Sequence, residues 1–198
     1  MYIVIRYLFL GVCIVLFWMV RKRIKFPKTV IIIVLLINAV IWNVPVENIF
    51  LRFETPEEAY RYAYSTRQIV HKYESDIADY VVLHGDINGT TFSQVPKDEK
   101  GYLAFSPHTQ FNSRISTLSG ETGLYSIYLI HDKSNVNFIH VSCDTGEIAS
   151  IGLTNNTPFY KTVDTSRSIP RIGYYAFFQQ NTNAFEVIIN GETFKLQF

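Results

Sequence analysis

Two apolar runs at the start of the chain constrain its fold more than any other feature. They cover residues 1–20 and 30–46, are rich in Ile, Leu and Val, and contain one charged residue, Arg6. The segment between them, residues 21–28, reads RKRIKFPK and carries five basic and no acidic side chains. About 20 apolar residues in a helix span the core of a bilayer, and short loops rich in Lys and Arg stay on the cytoplasmic side. The pattern therefore predicts two transmembrane helices joined by a cytoplasmic loop.

This interpretation divides the chain into two parts. Residues 1–50 form the transmembrane hairpin, with helices over about 3–20 and 30–46, and residues 51–198 form one folded domain. Because the second helix leads out of the cytoplasm, the N-terminus and the C-terminal domain are predicted to be extracytoplasmic. The predicted location is the cell membrane, and the lipid bilayer is the first predicted partner.

Two residues within the apolar runs are suited to a contact between the two predicted helices. Gly11 lies in the first run and Asn38 near the middle of the second. In a bilayer, small residues let helices approach closely and amides hydrogen-bond between helices. We therefore predict an intramembrane contact at Asn38 and Gly11.

The second part of the chain has its own charge and cysteine content. Residues 51–198 carry 12 basic and 16 acidic side chains, a net charge of −4. This sign argues against nucleic acid as a partner, since phosphate neutralisation needs Lys and Arg. Cys143 is the only cysteine there, so the domain has no internal disulfide.

Local patterns predict one helix followed by strands. Thr55 can cap a helix that Pro56 begins, with Glu58 completing a capping box, and the helix is predicted to run to about Thr66. Asn190-Gly191 between two apolar stretches predicts a tight hairpin. The strand candidates are Gln68–Glu74, Ala78–His84, Thr90–Val95, Tyr102–Phe105, Leu124–His131, Val136–Cys143, Glu147–Leu153, Tyr174–Gln180, Ala184–Ile189 and Thr193–Phe198.

These elements define the predicted fold class, which is α+β. It consists of the N-terminal two-helix transmembrane hairpin and a mostly antiparallel β extracytoplasmic domain with one helix at its start. The connections between strands are short, which makes neighbouring strands antiparallel. The polar region 106–123 is predicted to be a long loop.

The order of these features resembles a group of known proteins. A helical hairpin is followed by Phe53, by Thr55-Pro-Glu-Glu-Ala59, by a β-rich middle and by Ile188-Ile-Asn-Gly191 near the end. This order is similar to that of small membrane-anchored extracytoplasmic proteins of Gram-positive bacteria, most of which have no assigned activity. The resemblance implies a location and no catalytic residue.

Several short segments match catalytic or metal-binding patterns, but a structural role in a turn or a strand explains them better than a functional one. Asp144-Thr-Gly146 matches the aspartic-protease tripeptide, but a turn between two strands accounts for it. His140 and Cys143 are three apart in a strand and so face opposite sides. Asp86-Ile-Asn-Gly89 resembles the start of a calcium loop with its glycine two positions early. The five histidines show no zinc-ligand spacing. We predict no catalytic residue, no metal site and no cofactor.

Aromatic residues give the main functional indication. Some of the aromatic residues of the domain are expected to pack in its core. The others are predicted to form an exposed apolar surface of the kind that binds partners. The predicted binding-surface residues are Tyr62, Tyr174, Tyr175, Phe177 and Phe178.

The favoured function is therefore binding rather than catalysis. We expect a membrane-anchored domain that binds a protein or a component of the cell envelope. One alternative is a small envelope hydrolase whose site is assembled from distant residues. Another is an accessory subunit of a larger membrane complex, with Asn38 at the contact.

Overall fold

The computed structural model describes residues 2–20, 27–43, 45–86, 90–105, 113–131, 135–143, 148–164, 171–179 and 184–197. Helices α1 to α3 cover Tyr2–Val20, Pro27–Asn43 and Pro56–Ala63. A 3₁₀ turn covers Val46–Ile49. Strands β1 to β12 cover Gln68–Tyr73, Tyr80–Asp86, Thr90–Asp98, Gly101–Tyr102, Ser113–Gly120, Gly123–His131, Val136–Cys143, Ile151–Leu153, Tyr160–Asp164, Arg171–Gln179, Ala184–Ile189 and Glu192–Gln197.

The predicted transmembrane hairpin is wrong. Within the described residues, no helix is both long and apolar enough to cross a membrane. Helix α2 begins at Pro27 and ends before Pro45, and its 17 residues rise about 26 Å, short of a bilayer core of about 30 Å. In α1, Arg6 is buried in an ion pair with Glu47 rather than extending to an interface. The predicted loop at 21–28 lies largely outside the described residues.

Two further predictions depended on this hairpin, and both are wrong. The fold class is not a transmembrane hairpin followed by an extracytoplasmic domain, and the predicted multi-pass placement in a cell membrane is wrong. The described residues instead contain three α-helices and a set of antiparallel sheets that hold about half of the chain. Helices α1 and α2 contact one another, and α1 also contacts α3.

Helix α3 forms where its capping signals predict. The Thr55 hydroxyl oxygen accepts a hydrogen bond from the Glu58 backbone N–H at 3.3 Å, and the Glu58 carboxylate accepts one from the Glu54 N–H at 3.2 Å. The helix ends at Ala63, three residues earlier than predicted. The cap therefore fixes the start of α3, immediately before the sheets begin.

Removing this cap has a defined cost. We expect Thr55→Ala to lower the free energy of unfolding by about 1 kcal/mol, because the Glu58 N–H loses its acceptor. Urea unfolding followed by circular dichroism measures the change. Thr55→Ser is the matched control, since it keeps the hydroxyl. A Thr55→Ser loss equal to that of Thr55→Ala would contradict the capping role.

The described strands form three antiparallel sheets. Their orders are β1-β2-β3-β4, β5-β6-β7-β10-β9 and β12-β11-β8. The predicted Asn190-Gly191 hairpin is confirmed: both residues have positive φ, of 52° and 87°, and join β11 to β12. Residues 113–120, which were predicted to lie in a loop, form β5, and β9 was not predicted at all. These two strands are the edges of the five-stranded sheet.

The sheets stack in layers, with the five-stranded sheet in the middle. One of its faces packs on the three-stranded sheet, through a core that includes Tyr125, Ile139 and Val187. Its other face packs on the four-stranded sheet. Helix α3 covers the far side of the four-stranded sheet, where Ala59 and Tyr60 are fully buried. This stacking places one interface, between the two larger sheets, where aromatic residues meet polar ones.

Candidate ligand-binding cleft

The two larger sheets are tightly packed at one end and separated at the other. Along β6, β7 and β10, the side chains that face the four-stranded sheet become smaller in steps of two residues. The register pairs Ile130 with Phe138 and Phe177, then Tyr128 with His140 and Tyr175, then Ser126 with Ser142 and Gly173. The packed end is thus built from large apolar residues and the open end from small ones.

A row of small residues forms the floor of the open end. Ser126 pairs with Ser142, Ser142 with Gly173, and Gly173 with Thr162, so the row crosses β6, β7, β10 and β9. Stacked sheets lie about 10 Å apart, a gap that large side chains normally fill. Here the small side chains leave a cavity of about 170 Å³. We call this space the inter-sheet cleft.

The walls of the inter-sheet cleft are aromatic. Phe92 is central, with its ring centroid 4.7 Å from His84, 4.4 Å from Tyr128 and 4.9 Å from His140. His84 is nearly parallel to Phe92, at an interplanar angle of 14°, and is only 4% exposed. The Tyr128 hydroxyl donates a hydrogen bond to the Phe92 carbonyl at 3.1 Å, which joins the two sheets beside the cleft. The walls are therefore held in place by packing and by this cross-sheet bond.

Gly173 determines where the His140 ring lies. A Cβ atom at this position would be 2.4 Å from His140 Nε2 and 2.8 Å from its Cε1. Such contacts are far below van der Waals distance, so any side chain at position 173 would displace the imidazole. The absence of a side chain at Gly173 thus lets the His140 ring rest directly on the floor of the inter-sheet cleft.

A third histidine lies at one side of the same region. The Nε2 atom of His71 is 3.4 Å from the Thr162 hydroxyl oxygen, and its ring centroid is 4.5 Å from that of Tyr73. Thr162 and Tyr73 both line the inter-sheet cleft. Two imidazoles, those of His84 and His140, therefore line the inter-sheet cleft, and that of His71 lies beside it; each can donate and accept hydrogen bonds when neutral.

The mouth and the charge of the inter-sheet cleft bear on what can enter it. Ile115, on edge strand β5, lines it and is 68% exposed, which places the opening on that side. Among the described residues that line the cleft, none is Asp, Glu, Lys or Arg. No group of three His, Cys, Asp or Glu side chains in the described part of the chain is placed to hold a metal ion. The described lining of the cleft is thus aromatic and hydroxyl-rich.

The sequence-based catalytic alternatives are resolved in part. His140 faces the inter-sheet cleft while Cys143 packs in the core on the opposite face of the sheet, so the prediction that they do not pair is confirmed. Asp144-Thr-Gly146 lies outside the described residues. Of the calcium-like segment, Asp86 is the last residue of β2 and residues 87–89 are outside the described part.

The predicted binding-surface residues lie at several different places. Tyr174 and Phe178 pack against the core beside the three-stranded sheet, while Tyr175 and Phe177 face the four-stranded sheet. Tyr62, on α3, is 6% exposed, and its hydroxyl donates a hydrogen bond to the Glu47 carboxylate. The structure does not bring these five residues into one surface. Tyr175 comes closest to the inter-sheet cleft, since its ring centroid is 4.7 Å from that of Tyr73. A binding role for this set stays a prediction.

The contact predicted at Asn38 and Gly11 depended on the transmembrane hairpin, and the described residues do not test it. A Cβ at Gly11 would meet no atom within 4 Å among the described residues. The side chain of Asn38 lies outside the described part of the chain. Most side chains around them are apolar and exposed: Leu8, Trp18 and Met19 are each exposed by 65–67%. Helices α1 and α2 thus present a large apolar surface to their surroundings.

The residues that form the inter-sheet cleft were not predicted. His84 follows three apolar residues in β2, a position typical of a core, and Ser126, Ser142 and Gly173 belong to strands far apart in sequence. The only available signal was the alternation within each strand, in which small or polar residues replace apolar ones at inward positions. Their common location depends on the register between strands.

Comparisons with known proteins give no family for this chain. It matches no protein-family model, no curated protein and no solved structure. The resemblance to membrane-anchored proteins of Gram-positive bacteria is therefore not tested by them.

One property of the site predicts a dependence on alkaline pH. Burial raises the pKa of the Tyr175 hydroxyl above its ordinary value, and the neighbouring Tyr160 adds to the shift. The folded protein therefore holds this proton more tightly than the unfolded chain does. The contribution of this protonated hydroxyl to the free energy of unfolding is fully present below about pH 10. It is lost as the pH rises through the folded-state pKa of Tyr175.

Urea unfolding at pH 8 and pH 11 tests this expectation. Tyr175→Phe should lose less stability than the unmodified protein between the two values, because it removes one titrating group. Identical losses for Tyr175→Phe and the unmodified protein would contradict the prediction.

Proposed function

We propose that the protein is a binding protein that takes a small molecule into the inter-sheet cleft. The observation that carries this proposal is a cavity of about 170 Å³ with aromatic walls and a floor of hydroxyl-bearing residues. Small-molecule sites are concave, mostly apolar and furnished with a few polar groups that orient the ligand. The inter-sheet cleft has these features, and its walls are held in place before any ligand arrives.

The polar groups of the inter-sheet cleft suit the binding of a ligand. Ser126, Ser142 and His140 line it. A serine hydroxyl and a neutral imidazole can each donate and accept hydrogen bonds. In this proposal these groups are the hydrogen-bonding partners that orient the ligand.

Amide-resolved NMR of the full chain tests the proposal. Mixtures of small neutral, acidic and basic molecules should shift the amide resonances of Ser126, Ser142 and Gly173 in a saturable way. Ser142→Val should abolish these shifts, because its added methyl groups fill the cavity. Thr193→Val changes an exposed hydroxyl on β12 and should leave them intact. Shifts that persist in Ser142→Val would place binding elsewhere and overturn the proposal.

A second candidate function rests on the apolar surface of α1 and α2. Apart from Arg6, every side chain described from Val4 to Met19 is exposed or half-buried, and almost all are apolar. Helices that are apolar on all sides are normally buried, and contiguous exposed apolar surface marks an interaction site. The described exposed side chains of this surface are uncharged, so a second copy of the same surface can cover it without burying a charge. We therefore propose that the chain self-associates through α1 and α2.

Light scattering after size-exclusion chromatography measures this association. The full chain should form a defined oligomer, and Leu8→Lys should convert it to a monomer because a charge would be placed in the contact. Lys195→Leu, on exposed β12, is a control that should not change the mass. A monomeric full chain, or association with lipid vesicles in place of self-association, would overturn this candidate.

A further inference from the structure

The chemistry of the inter-sheet cleft points to a class of ligand, an inference that rests on the proposed binding function. We infer that the cleft takes a single uncharged, planar, six-membered aromatic ring that carries hydrogen-bonding substituents such as hydroxyl groups. The volume of the cleft, the shape of its walls, the charge of its lining and the polarity of its floor each favour one property of this ligand.

The volume of the cavity limits the ligand to about one ring. An engineered cavity of about 150 Å³ in another protein accommodates benzene. The inter-sheet cleft, at about 170 Å³, has room for a six-membered ring and a small substituent. Larger fused rings would need the sheets to separate.

The arrangement of the walls favours a planar molecule. Tyr73, His84 and Phe92 project from the four-stranded sheet, and the Ser126–Ser142–Gly173 row provides a low floor on the facing sheet. A flat ring can lie between them and make edge or offset contacts with the aromatic side chains. Such aromatic pairs contribute about 0.5–1.5 kcal/mol beyond the burial of area. A saturated ring of the same size would be thicker and would lose these contacts.

The lining disfavours an ionised ligand. It contains no Asp, Glu, Lys or Arg among the described residues, so it offers no permanently charged partner to a carboxylate or an ammonium. Burying an unpaired charge is far more costly than burying a neutral polar group. Tyr73, His84 and Phe92 are each at most 4% exposed, so the wall that they form is shielded from water. A neutral ligand avoids this cost.

The floor favours a ring with polar substituents over a hydrocarbon. Ser126 and Ser142 carry hydroxyls that both donate and accept, and His140 places a ring nitrogen over Gly173. A hydrocarbon would separate these groups from water without replacing its hydrogen bonds, which costs about 1–3 kcal/mol for each buried group left unpaired. A hydroxyl on the ligand can restore one or more of those bonds. The ring is thereby oriented with its substituent toward the floor.

Four probes on the full chain test the class. Phenol is neutral, planar and polar; benzoate adds a charge, cyclohexanol removes planarity and toluene removes the polar group. NMR titration of the Ser126 and Ser142 amides and of the His140 Cε1–H resonance gives each dissociation constant. We expect phenol to bind at least about tenfold more tightly than each of the other three, which is about 1.4 kcal/mol.

Two glycine variants connect the selectivity to His140. Gly173→Ala should weaken phenol binding at least about tenfold, because the added Cβ displaces the imidazole from the floor. Gly152→Ala is the matched control, since a Cβ there meets no described atom within 4 Å. Should Gly173→Ala fail to give a folded spectrum, Ser142→Ala removes a floor hydroxyl without steric conflict and should show the loss instead.

The outcomes separate this inference from the proposed function. Equal or tighter binding of benzoate, cyclohexanol or toluene at the same resonances would overturn the ligand class and leave the binding function standing. Unchanged phenol affinity in folded Gly173→Ala or Ser142→Ala would also overturn it. A cleft that responds to none of the probes, nor to the broader mixtures, would overturn the binding function itself.

Discussion

Phe138→Ala is expected to lower the free energy of unfolding by about 3–5 kcal/mol, the usual cost of truncating a buried aromatic residue. Phe138 is fully buried on β7, at the packed end of the interface between the two larger sheets. Its ring centroid lies 5.3 Å from that of Tyr73 and 5.1 Å from that of Phe177. Removing the ring leaves a cavity that these neighbours can fill only in part, because each is held by its own strand.

Urea unfolding at neutral pH measures the effect. Phe138→Leu should cost less than Phe138→Ala, since it retains most of the buried volume. Ile115→Ala removes an apolar side chain from the same sheet at the exposed mouth of the inter-sheet cleft and should change stability by no more than about 0.5 kcal/mol. A Phe138→Ala loss below about 1 kcal/mol would show that the two sheets do not depend on this contact.

The local parts of the fold were predictable from the sequence. Thr55 and Glu58 determine the start of α3 through hydrogen bonds within four residues, and Asn190-Gly191 determines a hairpin through two backbone angles. Such signals need no knowledge of the remaining chain. Central strands such as β7 were also predicted, because most of their residues are apolar and buried.

The two missed strands share a physical reason. Strand β5 contains only Ile115 and Leu118 as apolar residues, three positions apart, which gives no alternating pattern. Strands β5 and β9 both lie at the edges of the five-stranded sheet, where one side has no neighbouring strand and polar residues are common. Their strand conformation is imposed by pairing with β6 and β10 rather than by their own propensity.

The transmembrane prediction failed for a different reason. Counting apolar residues over 30–46 did not locate the ends of the helix, which begins at Pro27 and stops at Asn43. Proline is favoured in the first helical turn and excluded from the interior, so Pro27 and Pro45 limit the length of α2. The ion pair that buries Arg6 depends on Glu47, a residue 41 positions later, and could not be inferred from the apolar run around Arg6.

The inter-sheet cleft was beyond prediction for a similar reason. Each of Ser126, Ser142, Gly173 and Thr162 is unremarkable within its own strand. They form one floor only because the register between β6, β7, β10 and β9 aligns them. Register depends on the packing of entire sheets. Local sequence patterns therefore do not reveal which residues of different strands lie side by side in such a site.

Arg6→Met is expected to weaken the attachment of α1 to the sheet domain by about 3–5 kcal/mol, because removing one partner of a buried ion pair leaves the other charge uncompensated. The Arg6 guanidinium donates to the Glu47 carboxylate at 2.7 Å, and their side chains are 2% and 11% exposed. The Tyr62 hydroxyl on α3 donates to the same carboxylate. Without Arg6, Glu47 keeps a neutral partner in place of a charged one.

Hydrogen exchange of backbone amides measures this attachment, since it reports local opening as well as global unfolding. Protection of amides in α1 should fall by at least about a hundredfold in Arg6→Met, at about 1.4 kcal/mol for each factor of ten. Amides in β11 and β12 should keep their protection, because these strands lie in a different sheet.

The double variant separates the charge from the packing. Arg6→Met combined with Glu47→Leu removes both charges and should recover most of the lost protection, since an apolar pair of similar volume is often as stable as a buried ion pair. Glu47→Leu alone should be as harmful as Arg6→Met, because it buries an arginine without its carboxylate. If the double variant is no better than either single one, shape rather than charge holds α1 against Glu47 and Tyr62.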